Sequence, residues 1–590
     1  MPSLKPLVLS LCFCVPVLAP LASLAQEPGA AEVRVSISEG AVTAIAALGL
    51  QVPIVGRIFF IVARDDEQMP HLGTGVTGNP LWGVDVRDFG PGDRALIRDG
   101  DTSVSGYPFN ALADLPPGDY HVQAFINVYT TFHRSDGHVI EAHMNSGAFQ
   151  SPFKSPGNAY SEVQSVTVGE QGLGAIDLTI SEVIQPSRPL QDGEVLQQGN
   201  FEDTVWVRYI KIRSEKLSAF WGRDMYIGAN VLLPSGYEER PDATFPVLYM
   251  QGHSSGLTPM PWAPAPWFRP GYEPEHVAVG PQLEGFYEAW TAGELPKIVV
   301  ITIRDANPFF DTSYSVNSPN VGPYADAIYE ELIPHLEAQF RIVAEPWGRV
   351  LAGRSTGGWE AAAMMVFNPE RFAGAFPWAP DPIDFRKLMQ INIYDSNSAF
   401  YNELEWIRTP LPAQRDIDGI INYSVLDEHR YEQVVATKDR SGGQWAIWQA
   451  LYSPVADDGY PAPLWDPDTG EINREVATYW REHWDLSHII QRDWPRLGPK
   501  LAGKLHFAVG RRDNYYLEQA VYLTHARMAA LANPAAAATF QYGTNGRHSW
   551  IGHSLEDPTQ QLRYREFIRV VAQFVRERAP ANADLESWGY

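Results

Sequence analysis

The sequence predicts an all-β sandwich followed by a larger α/β domain with a parallel sheet. Residues 33–38 alternate between apolar and polar side chains, which is typical of a strand that is buried on one face. Between residues 245 and 510 the strand-like runs are continuously apolar and are separated by helix-forming segments. Such runs indicate parallel strands covered on both faces. A chain of 590 residues is also too long for one hydrophobic core, so more than one domain is expected.

The charge and the cysteine content limit the classes of function. The chain carries 70 Asp and Glu against 45 Lys and Arg, a net charge of −25, which repels a nucleic-acid backbone. Its two cysteines are Cys12 and Cys14, and both lie in a predicted leader segment. We therefore expect no nucleic-acid partner, and a mature protein without disulfides or thiol chemistry.

Residues 1–25 have the anatomy of a secretory signal peptide. Lys5 supplies a positive charge, an apolar run follows it, and small residues precede a cleavage site after Ala25. A membrane anchor is the alternative, but Pro16 and Pro20 interrupt a run that is already short for crossing a bilayer. The sequence thus predicts export to the periplasm or the medium, without a stable membrane anchor.

Residues 30–185 are predicted to form the antiparallel β-sandwich, as a separate accessory domain. Pro- and Gly-rich turns separate the strand-like runs that follow the first strand. These runs are residues 56–63, 119–132, 162–168 and 175–181. Residues 186–203 are polar, contain two prolines and lack either periodicity, which predicts a linker.

Residues 204–580 are predicted to form the α/β domain. We expect two antiparallel strands first, and then parallel strands at FPVLYMQ, PKIVVITI, RVLAG, FAGAFPWA and KLHFAVG. Residues 381–500 separate two of these strands by more than a crossover requires, so we predict an insertion that overhangs the strand ends as a lid. Seven tryptophans of this insertion could line a cleft or form its core. They are Trp406, Trp445, Trp448, Trp465, Trp480, Trp484 and Trp494.

Two segments match the G-x-S-x-G pattern of a serine nucleophile, one at Ser254 and one at Ser355. A nucleophile elbow needs a strand, a tight turn flanked by glycines, and a helix that begins at once. Ser355 has this context, because RVLA precedes it and the helix former WEAAAMMVF follows it. After Ser254 the chain reads LTPMPWAPAPWFRPGYEP, where repeated prolines prohibit a regular helix. We therefore predict that Ser355 is the nucleophile.

The segment around Ser254 has a different predicted role, as an oxyanion-hole loop. It follows the first parallel strand and precedes the elbow, and its Gly252-His253-Ser254 backbone is flexible. The predicted oxyanion donors are the backbone of this loop at His253 and the N–H of Thr356, directly after the nucleophile.

The acid and the base are expected to follow the serine in the order Asp, His. Asp513 comes just past a strand and before a helix, where its carboxylate could orient an imidazole. Its alternatives are a helix N-cap role for Asp513, or Glu518 as the acid. The later loop offers His548 and His553, and we predict His548 because Asn545-Gly546 directly before it indicates an exposed turn.

Three further polar groups each have a functional and a simpler interpretation. The functional interpretation of one group is a metal site, and the simpler one is a polar hairpin loop; its residues are His133, Asp136, His138 and His143. Asp381 and Asp384 are either a glycosidase pair or ordinary strand-end carboxylates. Asp305, Asn307 and Asn317 either line the pocket rim or stabilise a loop. We expect no metal site and no cofactor.

The motifs together resemble the esterase family that includes esterase D, feruloyl esterases and enterochelin esterase. The resemblance covers residues 205–380 and 500–578. It is carried by PYADAIYEELIPHLEAQFRI, VLAGRSTGGWEAAAMMVFNPERFAGAF, VGRRD and GRHSW. It implies an α/β-hydrolase fold with Ser355, Asp513 and His548 as the triad. The N-terminal sandwich resembles accessory β domains that precede such esterase modules, whereas the Gly252-His253 loop and the long insertion depart from compact relatives.

The predicted function is therefore an exported serine hydrolase that cleaves carboxylic esters through an acyl-enzyme. Its expected partner is a small-molecule or polymer-linked ester. A peptidase or amidase with the same triad is the alternative within the enzyme class. A binding protein that has kept the fold and lost catalysis is the alternative outside it.

Overall fold

A computed structural model of the protein describes residues 31–144, 146, 151–170, 172–253, 283, 285–309 and 311–588. Within these ranges the chain forms two large sheets, one of ten strands and one of eight. The predicted signal peptide, residues 1–25, and Ser254 lie outside the described residues.

The described part of the N-terminal unit contains the ten-stranded sheet, one α-helix and three short 3-10 helices. Its elements are β1 (Glu32–Ile37), α1 (Glu39–Ala47), β2 (Ile54–Ala63), β3 (Leu81–Phe89), β4 (Ala95–Arg98), β5 (Ser105–Tyr107), β6 (Gly118–His133), β7 (Val139–His143), β8 (Ala159–Ser161), β9 (Gln164–Val168) and β10 (Ala175–Val183). The all-β character predicted from the sequence is therefore observed here.

The arrangement of these strands differs from the predicted antiparallel two-sheet sandwich. All ten strands join one hydrogen-bonded sheet in the order β4-β1-β10-β8-β6-β2-β3-β5, with β7 and β9 also paired to β6. The pair β1 and β10 is parallel. The physical reason is the length of β6, whose 16 residues give it room for four partners. The sheet curls, because β4 at one end of the order contacts β3 near the other end.

The C-terminal unit begins with the eight-stranded sheet and the helices that cover it. Up to the helix after the predicted elbow its elements are β11 (Val207–Ser214), α2 (Glu215–Trp221), β12 (Met225–Leu232), β13 (Val247–Gln251), α3 (Phe286–Thr291), β14 (Val299–Arg304), β15 (Asn317–Ser318), β16 (Gly322–Pro323), α4 (Tyr324–Ala327), α5 (Ile333–Gln339), β17 (Arg349–Ser355) and α6 (Thr356–Phe367). A π-helical segment, Ile328–Leu332, joins α4 to α5.

The second half of this unit contains the predicted insertion and the last strands. Its elements are β18 (Gly374–Pro380), β19 (Tyr401–Glu403), β20 (Arg408–Pro410), β21 (Pro412–Arg415), β22 (Ile421–Ser424), α7 (Val425–Val435), α8 (Gln444–Tyr452), α9 (Arg474–His483), α10 (Leu486–Arg492), α11 (Trp494–Leu501), β23 (His506–Gly510), α12 (Glu518–Ala529), β24 (Thr539–Gly543) and α13 (Tyr564–Arg578).

The order of the eight strands identifies the fold of this unit. The strands run β11-β12-β14-β13-β17-β18-β23-β24. The second strand is antiparallel to both neighbours, and the remaining pairs are parallel. An exchange of the third and fourth strands beside an antiparallel second strand is the α/β-hydrolase order. The predicted α/β fold with an antiparallel start is therefore confirmed, and β17 lies among parallel strands whose carboxyl ends share one edge.

The interval 381–500 is not a single insertion. Its last two helices, α10 and α11, contact α6 and so complete the layer that covers the sheet, as a crossover helix does. The remainder, residues 381–485, contains the two hairpins β19–β20 and β21–β22 together with α7, α8 and α9. The insertion is consequently shorter than the sequence pattern predicts.

The N-terminal unit packs directly on this insertion. Alternate residues of β2 face two different environments: Phe59 and Ile61 join an apolar cluster with Val434 of α7, whereas Phe60 faces the main core. Arg57 Nε also donates to the Val434 carbonyl oxygen at 2.8 Å. Both faces of β2 are therefore buried, which explains its continuously apolar sequence.

The predicted linker is held against the C-terminal unit. Residues 186–203 contain turns and bends but no helix or strand. Lys211 Nζ, from β11, donates to the carbonyl oxygens of Val195, Gln197 and Gly199 at 2.8, 3.0 and 3.0 Å. The three N–H donors of one ammonium group thus satisfy three backbone carbonyls in a segment that has no helix or strand hydrogen bonds of its own.

Candidate active site

Ser355 is the last residue of β17 and directly precedes α6. Its backbone has φ 58° and ψ −125°, a conformation that is strained for a residue with a side chain. The serine side chain is half-buried, at the carboxyl edge of the parallel strands. This strand, strained turn and helix form the geometry of a nucleophile elbow.

The two glycines of the Gly353–Gly357 pattern are required by close backbone contacts. A Cβ on Gly353 would collide with the carbonyl of Gly357, and a Cβ on Gly357 would collide with the carbonyl of Gln251. Gln251 ends β13, so the turn around Ser355 lies directly against the loop that contains His253. Thr356 is the first residue of α6, where backbone N–H groups have no acceptor within the helix.

His548 and Asp513 meet as the sequence predicts. His548 Nδ1 lies 2.8 Å from Asp513 Oδ2, and the Asp513 side chain is 0% exposed. The other oxygen of Asp513 accepts the N–H of Tyr515 at 2.9 Å, which fixes the carboxylate at the end of β23. The Tyr515 ring lies edge-on to the imidazole, 5.0 Å between ring centroids. Together these contacts hold His548 in one orientation.

The alternative acid and base are occupied elsewhere. His553 Nδ1 lies 2.8 Å from the Pro558 carbonyl oxygen. Glu518 forms an ion pair with Arg415 at 2.7 Å. These partners are structural, so among the predicted candidates the acid–imidazole pair is the one at Asp513 and His548.

Asp381 occupies a position that the sequence reasoning did not assign to the serine site. It directly follows β18, and its Oδ1 accepts the Ser355 hydroxyl at 3.2 Å. Its Oδ2 accepts from Tyr314 at 2.7 Å and from Thr356 at 3.0 Å. Trp448 Nε1 donates to the same oxygen at 3.2 Å. In this state the serine hydroxyl is therefore bonded to a buried carboxylate.

Asp381 and Asp384 do not form the glycosidase pair that was one alternative. Asp384 forms ion pairs with Arg386 at 2.7 Å and Arg527 at 3.5 Å, so its charge is used within the fold. The signal for Asp381 was its place directly after the strand next to β17, since the carboxyl ends of neighbouring parallel strands meet.

Replacement of Asp381 by alanine is expected to lower the free energy of unfolding by about 2–4 kcal/mol, because buried donors of Tyr314, Thr356 and Trp448 lose an acceptor. Thermal unfolding of the variant measures this loss. Asp395→Ala is the matched control, because that exposed carboxylate accepts one bond from a neighbouring side chain. Equal melting temperatures for the two variants would contradict the structural weight given to Asp381.

A second imidazole–carboxylate pair adjoins the elbow. His253 Nδ1 lies 2.7 Å from Asp311 Oδ2, and its Nε2 lies 3.4 Å from the Thr356 hydroxyl. Burial lowers the pKa of His253, but the Asp311 carboxylate raises it, and the net pKa lies above the ordinary value. His253 thus contacts the turn through its side chain, in addition to the backbone position predicted for it.

The predicted pocket-rim groups stabilise a loop instead. Asp305 accepts the Ser313 N–H at 3.1 Å and the Thr312 hydroxyl at 2.8 Å, and burial raises its pKa to about 6. Asn307 Nδ2 donates to the Thr312 carbonyl at 3.1 Å. Asn317 is exposed and bonds Asp326. These contacts fix the loop that carries Asp311.

Most tryptophans of the interval 381–500 are core residues. All but one of those named in the sequence analysis are buried, whereas Trp406 is 87% exposed. Trp445 packs edge-on against Trp448 and Trp465, with ring centroids 5.1 and 5.2 Å apart. The core interpretation is therefore correct for six of the seven, and Trp448 in addition reaches Asp381.

The described residues contain no group of three or more His, Cys, Asp or Glu side chains arranged to hold a metal ion. In the predicted hairpin, Asp136 contacts both Arg134 and His138. These contacts favour the interpretation of this segment as a polar hairpin loop. No helix within the described ranges is long and apolar enough to cross a membrane.

Comparison with known proteins identifies an esterase relationship. Residues 218–488 match the family model described as "Putative esterase", which confirms the resemblance to that family. The matched range includes Ser355 and ends before Asp513 and His548. No curated protein matches the chain.

Similar solved structures are esterases and related hydrolases. A ferulic acid esterase is 13% identical, covers 63% of this chain and 98% of its own, and has a TM-score of 0.34. An S-formylglutathione hydrolase from Agrobacterium tumefaciens is 14% identical, covers 66% and 98%, and scores 0.29. An S-formylglutathione hydrolase from Staphylococcus aureus is 15% identical, covers 62% and 99%, and scores 0.27.

Proposed function

We propose, on the premise that residues 218–488 match the esterase family, that this protein is a serine hydrolase that cleaves carboxylic esters. The observation that carries the proposal is the strained backbone of Ser355, with φ 58° directly before α6. Strain of this kind persists where the surrounding fold requires it, and it presents the hydroxyl at the edge of the sheet. The hydrogen-bonded pair of His548 and the buried Asp513 carboxylate would supply the matching base and acid.

In the proposed reaction Ser355 Oγ attacks the acyl carbon while His548 takes the serine proton. Asp513 holds the imidazole in the required tautomer and stabilises its charge. Backbone N–H groups of the His253 loop and of Thr356 stabilise the oxyanion. The alcohol leaves with the proton, and water then releases the acyl group by the same steps in reverse. The hydrogen bond from Ser355 to Asp381 has to break first, by rotation of the serine side chain.

A panel of chromogenic substrates tests this function. It comprises esters of increasing acyl length, feruloyl esters and peptide anilides, which separate ester from amide cleavage. We expect turnover of at least one ester class and a higher kcat/KM for esters than for anilides. A preference for anilides over every ester would favour a peptidase or amidase, and turnover of no substrate would favour a binding protein.

We also propose that residues 381–485 act as a lid that restricts access to Ser355. Two contacts support this role. Trp448 of α8 bonds Asp381 beside the serine. Gln414 of β21 donates to the Tyr515 hydroxyl at 3.0 Å, and the Tyr515 ring lies against His548.

Gln414→Ala is expected to lower KM for a feruloyl ester about threefold to tenfold, the size of one lost hydrogen bond, and to change KM for an acetyl ester less. The bulky acyl group has to pass the side chains that the insertion orders, whereas acetate does not. Asn402→Ala, on the exposed hairpin β19–β20, is the matched control. An equal change in KM for both esters would contradict a selective lid.

Export is a separate proposal that rests on residues 1–25. N-terminal sequencing of the protein recovered from the periplasm or the medium is expected to begin at Gln26. Recovery of the activity in the cytosol, with Met1 retained, would contradict it.

A further inference from the structure

The site region contains two imidazole–carboxylate pairs, and the proposed reaction uses only the pair of His548 and Asp513. The pair of His548 and Asp513 spans 2.8 Å, and the pair of His253 and Asp311 spans 2.7 Å. The second imidazole lies 3.4 Å from the hydroxyl of Thr356, the residue whose N–H is the proposed oxyanion donor. Its role in the chemistry is unassigned.

The loop that carries Asp311 holds this second pair rigidly. Asp311 is 0% exposed, and its carbonyl oxygen accepts the backbone N–H of Asn307 at 3.0 Å. The Phe309 N–H in turn donates to the Asn307 side chain at 2.8 Å. Because Asp311 is hydrogen-bonded to Nδ1, the His253 nitrogen that faces the elbow is Nε2. The His253 side chain is 34% exposed, so the imidazole is partly open to solvent.

The hydrogen bonds around His253 favour a proton on each ring nitrogen. Nδ1 faces a carboxylate, which accepts hydrogen bonds. Nε2 faces the Thr356 hydroxyl, whose own hydrogen is donated to Asp381 Oδ2 at 3.0 Å. Both nitrogens therefore face acceptors, and an imidazole that donates from both nitrogens is the cation.

The net effect of the groups around His253 also favours the cationic imidazole. Burial lowers the pKa of His253, whereas Asp311 and, more weakly, Asp381 raise it, and Arg354 opposes the rise. The net pKa lies above the ordinary value. The cationic form is therefore populated to higher pH than for an exposed histidine.

We propose that the His253 imidazolium donates its Nε2–H to the oxyanion that forms beside the Thr356 N–H, as a charged third donor of the oxyanion hole. The proposal rests on the proposed esterase function. As the bond between Ser355 Oγ and the acyl carbon forms, the carbonyl electron pair moves onto oxygen and His548 takes the serine proton. His253 keeps its proton throughout, and its hydrogen bond moves from the Thr356 hydroxyl to the oxyanion. When the carbonyl reforms, the leaving alcohol takes the proton from His548.

The protonation of His253 determines how activity depends on pH. Neutral His253 keeps its hydrogen on Nδ1, which faces Asp311, so Nε2 has no hydrogen to donate to the oxyanion. Activity on p-nitrophenyl acetate is therefore expected to fall as pH rises through the raised pKa of His253. Asp311→Asn removes the charge that raises this pKa, so the alkaline limb should move to lower pH by about 1–3 units. A purely structural role for the pair would not move this limb.

His253→Gln should no longer show the fall in activity at alkaline pH. Its kcat should be about 10²–10³-fold lower than that of the wild type, with little change in KM, which is the effect of removing one oxyanion donor. His553→Gln is the matched control, because that imidazole bonds a carbonyl on the surface. Thermal unfolding shows whether each variant is folded. If a variant is not folded, the pH profile of the wild-type enzyme still tests the role of His253.

Three outcomes separate the possibilities. A wild-type profile that stays flat on the alkaline side overturns the role of His253 without any variant. A folded His253→Gln that keeps wild-type kcat also overturns it. If turnover of the acetate ester does not depend on Ser355, the esterase proposal itself fails, whereas Ser355-dependent turnover with a flat profile rejects His253 alone.

Discussion

Replacement of Ser355 by alanine is expected to lower kcat for ester hydrolysis about 10⁶-fold, the loss typical of a triad serine. Of the described serine and threonine residues, Ser315 and Ser355 have a positive φ, and only Ser355 directly precedes a helix. The residual rate would come from the oxyanion donors and from substrate binding, which the variant keeps. Steady-state kinetics on the best ester of the panel measures the loss.

Ser254→Ala is the matched control for this experiment, because Ser254 has the same five-residue pattern in the sequence. Its loop is proposed to act through the backbone, which the substitution leaves in place, so activity should stay within about tenfold. The reverse result, a large loss for Ser254→Ala and a small one for Ser355→Ala, would reverse the assignment of the nucleophile.

His548→Ala is expected to produce a loss of similar size, about 10⁶-fold in kcat, because a serine without its base is a weak nucleophile. The buried Asp513 carboxylate and the Tyr515 ring hold this imidazole in place. The double variant with Ser355→Ala should be no slower than either single variant, since the two residues act as one unit.

His553→Ala is the control for the base, because both histidines lie in one loop and His553 bonds the Pro558 carbonyl instead of a carboxylate. Its kcat should remain near that of the wild type. If His548→Ala remained active and His553→Ala did not, the Asp513–His548 pair would be structural rather than catalytic.

Local sequence patterns predicted the elbow and most of the central sheet. The glycines around Ser355 and the helix former after it reflect backbone contacts that side chains would break. The apolar runs at β13, β14, β17, β18 and β23 are strands buried on both faces. These features depend on residues near in sequence, so a single sequence records them.

Features that depend on distant contacts were not predictable. The last strand, β24, alternates in burial at the edge of the sheet, and its sequence lacks an apolar run. The curl of the N-terminal sheet depends on which strands pair, which the alternation of side chains does not specify. Asp311 meets His253 across 58 residues, and nothing local in the sequence marks that pair. Asp381 could be placed at a strand end but not beside Ser355.

The most direct test of the central claim is covalent labelling with a fluorophosphonate probe, followed by peptide mapping of the modified residue. A serine activated by a general base reacts with such a probe, whereas an ordinary serine does not. We predict one adduct per chain, on the peptide that contains Ser355, and its loss in Ser355→Ala. An adduct on Ser254, or no adduct on the folded wild-type protein, would contradict the account.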